Sequence, residues 1–226
     1  MNEDSTAQAQ RLRSGLVLLL TINTGATDAL GFIGLGGAFT SVMTGNMVLL
    51  GLAGGTVDGT LALLSGGSIA CYIAGTALGS RIVGHKLSTD PVWPSRITVA
   101  LTLQLLIVIA FTISWCVAGG RPEGTLALLL LMANATAIGI QAASVQAFAV
   151  PGLSTTFLTG TLTTVVTHLT HRRPLRVIRR SLALLLGLTG GAAVGGALTH
   201  YAPLFAPAPQ LATLGAVIVI AYWKFR

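Results

Sequence analysis

Thr40-Ser-Val-Met-Thr-Gly-Asn-Met47 is a polar, glycine-interrupted stretch set in a very apolar chain. A second stretch, Thr155-Thr-Phe-Leu-Thr-Gly-Thr-Leu162, repeats its outline: Gly37, Thr40, Thr44 and Gly45 fall on Gly152, Thr155, Thr159 and Gly160, a displacement of 115 residues. Residues 39–52, taken as a helix, cover roughly 21 Å, short of a hydrocarbon core of roughly 30 Å. Whether these two short segments cross or turn back decides between eight spans and six.

That the setting is a membrane follows from composition. Of 226 residues, 53% are hydrophobic and 8% charged, against roughly 25% charged in soluble domains. A mean hydropathy of +0.81 leaves little room for a separate water-soluble domain. The chain therefore reads as one all-α, polytopic membrane domain over residues 1–226. The 28 glycines suit closely packed membrane helices. The net charge of +7 raises nucleic acid as a partner, but the basic residues flank apolar spans and lack the basic-aromatic surface such proteins use. Cys71 and Cys116 lie in apolar runs without CxxC spacing, so neither a disulfide framework nor a metal site is expected.

Working outward, full-length spans are predicted over 15–36, 61–83, 97–118, 125–147, 181–200 and about 210–223, with short segments at 39–52 and 154–168. The N-terminal apolar run passes into Thr21-Ile-Asn-Thr-Gly25 without a small-residue cleavage site, so it reads as a retained span rather than a cleaved signal. Two glycine stripes support an internal repeat. Gly67, Cys71, Gly75 and Gly79 recur at four-residue spacing, as do Gly187, Gly191, Gly195 and Thr199. Such spacing puts small residues on one helix face, where another helix can approach closely. The repeats run over about 15–118 and 125–224.

Basic residues orient the chain. With six spans, Arg11, Arg13, Arg81, Lys86, Arg96, the five arginines of 172–180, Lys224 and Arg226 share one face, and Arg121 stands opposite: 12 against 1. With eight spans the bias falls to 10 against 3. The positive-inside rule thus favours six spans, two re-entrant segments and both termini cytoplasmic. Three spans per half invert the second half relative to the first, an architecture common among transporters.

Asp28 is the acidic residue set inside a predicted span, at a cost of about 2.5–3.5 kcal/mol near the bilayer centre. A functional role is the default reading of such a residue, here binding of a cation or proton. The structural reading is a carboxylate that bonds Thr or Asn neighbours and the interrupted backbone. Thr44, Gly45 and Asn46, with Thr159, Gly160 and Thr161, offer hydroxyls, an amide and close backbone approach, suited to a neutral polar solute or a partly dehydrated cation. The same groups could simply satisfy the helix break. Asn23 and Gln141, with Asn134, Ser144 and Gln146, are further candidates for a polar cavity or for interhelical hydrogen bonds. His168 and His171 read as interface residues rather than metal ligands, and the arginine run as an orienting patch facing anionic headgroups. With no GxSxG, HExxH, P-loop or dinucleotide fingerprint in a suitable context, neither an enzyme nor a cofactor is expected.

Gly25-Ala-Thr-Asp-Ala29, Phe39-Thr-Ser-Val-Met-Thr-Gly-Asn46, Gly139-Ile-Gln141 and Thr155-Thr-Phe-Leu-Thr-Gly-Thr161 together resemble the YoaK-like family of small bacterial membrane proteins. The resemblance covers nearly the whole chain and implies about six spans in a bacterial inner membrane, with no established activity. The chain departs from the family at Ala142, where Asn is expected, which weakens the case for a polar fourth span.

The function expected is a small transporter or channel for a small polar solute, proton or cation, with its site between the inverted halves around Asp28 and the two TG segments. The alternative is a non-transporting scaffold or accessory subunit whose glycine stripes dock partner helices. A homodimer fits the little surface that 226 residues offer to a complete pathway.

Overall fold

The computed structural model describes residues 3–84, 93–147, 158–171 and 175–225. His85, Lys86, Asp90, the Pro151-Gly152 break, Thr155, Arg172, Arg173 and Arg226 lie outside them, as does the side chain of Arg176. Among the described residues the chain is all-helical: α1 (Glu3–Gly34), α2 (Met43–Thr56), α3 (Gly59–Val83), α4 (Ser95–Val117), α5 (Gly124–Gln146), α6 (Leu158–Thr170), α7 (Leu175–Tyr201), a 3-10 turn (Pro203–Phe205) and α8 (Ala208–Phe225). Six of the helices, α1, α3, α4, α5, α7 and α8, are long and apolar enough to cross a membrane. Polarity is arranged for lipid: Val48, Ile73, Val99, Leu106, Ile113, Leu186 and Val219 are exposed, while Asn23, Gln104, Asn134 and Gln141 are buried.

Lipid tails are as apolar as leucine, so close packing rather than hydrophobic burial must hold these helices together. The glycine stripes provide it. A Cβ on Gly75 would overlap the Thr136 carbonyl, and one on Gly79 would fall 2.9 Å from the Ala143 Cβ. Gly139 of α5 reciprocates against the Tyr72 carbonyl. On the other flank a Cβ on Gly191 would overlap the Ile22 carbonyl, and one on Gly195 would lie 2.6 Å from the Ala26 carbonyl oxygen. Gly25 of α1 reciprocates against Leu188. Both stripes are therefore covered within the chain, α3 by α5 and α7 by α1. That corrects the expectation that they dock partner helices.

These contacts also fix chain direction. Gly67, Gly75 and Gly79 meet Met132, Thr136 and Ile140 in ascending order, so α3 runs parallel to α5; Leu18, Ile22 and Ala26 meet Gly187, Gly191 and Gly195, so α1 runs parallel to α7. Asn23 bonds Gln141, while Gly31 sits by Leu131, which makes α1 and α5 antiparallel. Gln104 meets Gln141, and Phe111 and Trp115 pack with Leu130 and Leu131, so α4 opposes α5. Trp93, just before α4, stacks on Phe225 at 5.6 Å, and Trp115 Nε1 donates to the Pro203 carbonyl at 2.7 Å, so α8 opposes α4.

It follows that α1, α4 and α7 run one way and α3, α5 and α8 the other. Eight crossings would require α3 to run with α1, and it runs against it. The short helices α2 and α6, of 14 and 13 residues, return the chain to the side it left. One end of the bundle thus holds both ends of the described chain with Arg11, Arg13, Arg81, Arg96, Arg179, Arg180 and Lys224, and the other holds Asp58, Arg121 and Glu123.

Candidate functional site

Between α1 and α2 the chain turns back into the bundle. Gly36 and Gly37, at φ +108° and +92°, adopt left-handed backbone that a side chain would strain. Leu35, Ala38, Thr40 and Ser41 are all buried. Non-helical backbone at this depth needs hydrogen-bond partners from elsewhere in the protein.

Asp28 supplies two of them. It lies six residues, about 9 Å of helix, before the end of α1, and it is 7% exposed. Its Oδ1 accepts from the Thr40 amide at 2.9 Å, the Thr40 hydroxyl at 2.9 Å and the Ser41 amide at 2.8 Å. The Ser41 hydroxyl donates to Oδ2. Asn46, in the first turn of α2, brackets the same segment: its Nδ2 donates to the Phe39 carbonyl at 2.7 Å, and the Phe39 amide donates to its Oδ1 at 2.9 Å. One carboxylate and one amide thereby take the place of a ladder partner for Phe39–Ser41. Asp28 has no cationic partner among the described residues.

A second polar group occupies the bundle core where α1, α4, α5 and α8 meet. Gln141 Oε1 accepts from Asn23 Nδ2 at 2.8 Å and Gln104 Nε2 at 3.0 Å, and Gln141 Nε2 donates to the Thr24 hydroxyl at 2.8 Å and the Leu20 carbonyl at 3.0 Å. The Thr213 hydroxyl reaches Asn23 Oδ1 at 3.3 Å. Asn134 lies seven residues from Gln141 on the same face of α5, about 10 Å along the axis. Both its amide atoms and both of Gln210 are buried without a hydrogen-bond partner among the described residues. The Ala142 departure leaves this group intact, because Gln141 and Asn134 carry the polarity of α5.

The predicted site residues therefore divide. Asp28 and Asn46 meet through the segment they hold, and Asn23 and Gln141 meet in the core. The two groups stay separate because five residues along α1 turn Asn23 about 140° from Asp28. Thr44 is exposed, while Gly45 leaves room for Phe39 and Val42, each 3.2–3.3 Å from where a Cβ would stand. Thr159 and Gly160 are exposed at the start of α6 and Thr161 is buried; α6 packs on α7, and no hydrogen bond joins Thr159, Gly160 or Thr161 to Asp28. Ser144 bonds back to the Ile140 carbonyl, Gln146 is exposed, and His168 meets the Thr164 carbonyl of its own helix at 2.8 Å. Sequence reasoning missed Gln104 and Thr213, while the pairing of Asp28 with Thr40 and Ser41 is the structural reading of that carboxylate with its partners now named. Gln104 carried a signal, being an amide in the middle of the apolar run Leu101-Thr-Leu-Gln-Leu-Leu106.

Residues 16–222 match the family model described as "Protein of unknown function (DUF1275)". The chain is 34% identical over 169 residues to the UPF0700 transmembrane protein YoaK of Bacillus subtilis (strain 168), covering 73% of this chain and 70% of that one. No solved structure matches it. A match across nearly all of the six-span bundle, with that relative beside it, places this multi-pass membrane protein in the DUF1275 family of YoaK-like proteins.

Proposed function

We propose that this protein is a small bacterial inner-membrane transporter or channel for a small polar solute or ion, with both termini cytoplasmic. The observation that carries the reading is the non-helical segment 35–42, with Leu35, Ala38, Thr40 and Ser41 buried, tied to an intramembrane carboxylate by four hydrogen bonds. Interrupted helices near the midplane are where transporters place their sites. A proton or cation arriving at Asp28 competes with the Thr40 and Ser41 donors for the same oxygens. That competition loosens the segment and couples occupancy to opening. The buried amides of Asn134 and Gln210 suit passage of a hydrogen-bonding solute. Two inverted halves belong to the same reading. In its support, α3 packs on α5 as α7 packs on α1, while α1 crosses α5 and α4 crosses α8.

The test is flux in liposomes with Asp28→Asn, Thr44→Ala and Thr159→Ala, guided by a thermal-shift screen of ions and small metabolites. A true ligand at 100 times its Kd stabilises by about 2.7 kcal/mol, and that gain is expected to vanish in Asp28→Asn. Full flux in all three variants would place the site elsewhere.

A further inference from the structure

At the end of the bundle that holds the termini, a cavity of about 650 Å³ opens between α1 and α7. Arg11 lines it from α1, and Arg179 and Arg180 from α7. The parallel pairing of Leu18 with Gly187 and Ile22 with Gly191 keeps a constant offset of 169, which brings Arg11 level with Arg180. Among the described residues no acidic side chain pairs with these three guanidinium groups, and Arg13 adds a fourth positive charge beside Arg180. The cavity exists because small residues line its middle. Gly15 has no atom within 4 Å of where its Cβ would stand, and Ala183 faces the same space, with Leu18 and Leu184 as apolar walls.

Positive charge gathered this closely is costly without an anion, and the shape of the cavity tells what kind. Guanidinium groups favour phosphate oxygens through paired N–H donors. The polar mouth passes into leucine walls that run along membrane-spanning helices, which matches a headgroup continuing into acyl chain. Basic pockets between helices at a membrane surface are suited to anionic lipid headgroups.

We infer that the α1–α7 cavity is a binding site for a phosphate ester, held by Arg11, Arg179 and Arg180, and that its occupant is the headgroup of an anionic phospholipid. Three cations are expected to favour the anionic headgroup over a zwitterionic one on the order of 100-fold.

The experiment is native mass spectrometry and thermal shift of the full-length protein in detergent, titrated separately with phosphatidylglycerol, phosphatidylcholine and glycerol phosphate. Selective retention of phosphatidylglycerol, with loss of most of that selectivity in Arg11→Gln/Arg179→Gln/Arg180→Gln, is the expected result. Gly15→Leu fills the cavity without removing a charge, and it too is expected to lose the selectivity. Glycerol phosphate binding as tightly as the lipid would keep the phosphate site and overturn the lipid as its occupant. Equal retention of phosphatidylglycerol and phosphatidylcholine by the unaltered protein would overturn the inference. So would undiminished selectivity in both the triple variant and Gly15→Leu.

Discussion

Asp28→Ala isolates what the carboxylate does for the fold. Two of its four donors are the backbone amides of Thr40 and Ser41, which cannot turn toward another acceptor. Each buried amide left unpaired costs about 1–3 kcal/mol, so the pair costs about 2–6 kcal/mol. The two hydroxyls rotate and are left out of that sum. Asp28→Asn keeps an oxygen at the Oδ1 position and turns an NH2 toward the Ser41 hydroxyl, which can accept. Its loss is the charge assistance of the bonds, about half their strength. Hydrogen exchange at residues 40 and 41 measures local opening directly. Exchange in Asp28→Ala is expected to be on the order of 10 to 10,000 times faster than in the unaltered protein, with Asp28→Asn between the two and melting in detergent in the same order. Unchanged protection of both amides in Asp28→Ala would refute the idea that Asp28 holds this segment, whatever its effect on flux.

Gly75→Leu drives a side chain into the Thr136 backbone and is expected to abolish the monodisperse peak on size exclusion. Gly190→Ala, at a helical glycine with open space around it, is expected to be neutral or to stabilise by about 0.5–1 kcal/mol in melting. Gln141→Leu strands the amide donors of Asn23 and Gln104 and is expected to cost about 2–6 kcal/mol. Gln104→Leu removes one bond and an oxygen that has no partner among the described residues, so its melting shift is expected to be less than half as large.

Much of the fold was legible because lipid imposes long apolar runs, and all six spans fall within a few residues of their predicted limits at most ends. The largest departures are the starts of the first and last spans, Gln8 against 15 and Pro203 against about 210; three others have local causes. The first short helix begins at Met43 rather than at 39, because the backbone of Phe39–Ser41 bonds the side chains of Asp28 and Asn46 instead of its own turns. Between the short segment predicted to end at 52 and the span predicted to start at 61, only Val57 and Asp58 leave the helix: Val57 is left-handed and Asp58 caps α3, while Gly54 and Gly55 stay helical. α7 begins at Leu175, several residues before the apolar run, since arginines can be helical while their heads stay in water. Of the site, the residue types were legible and their grouping was not: Asn23 and Asp28 are five residues apart yet face different neighbours.

By itself the sequence determined the solvent, the number of apolar spans, and which helix faces admit close approach, because hydropathy and four-residue glycine spacing are local and periodic. Only the tertiary structure decided what those faces meet. The glycine stripes find α5 and α1 of the same chain, the direction of α3 makes the stretch around Thr40–Met47 part of a returning segment, and Asp28 turns out to hold that segment's backbone. Each of these is a pairing between residues a dozen to more than a hundred positions apart, and no local period encodes which distant surface a given face will find.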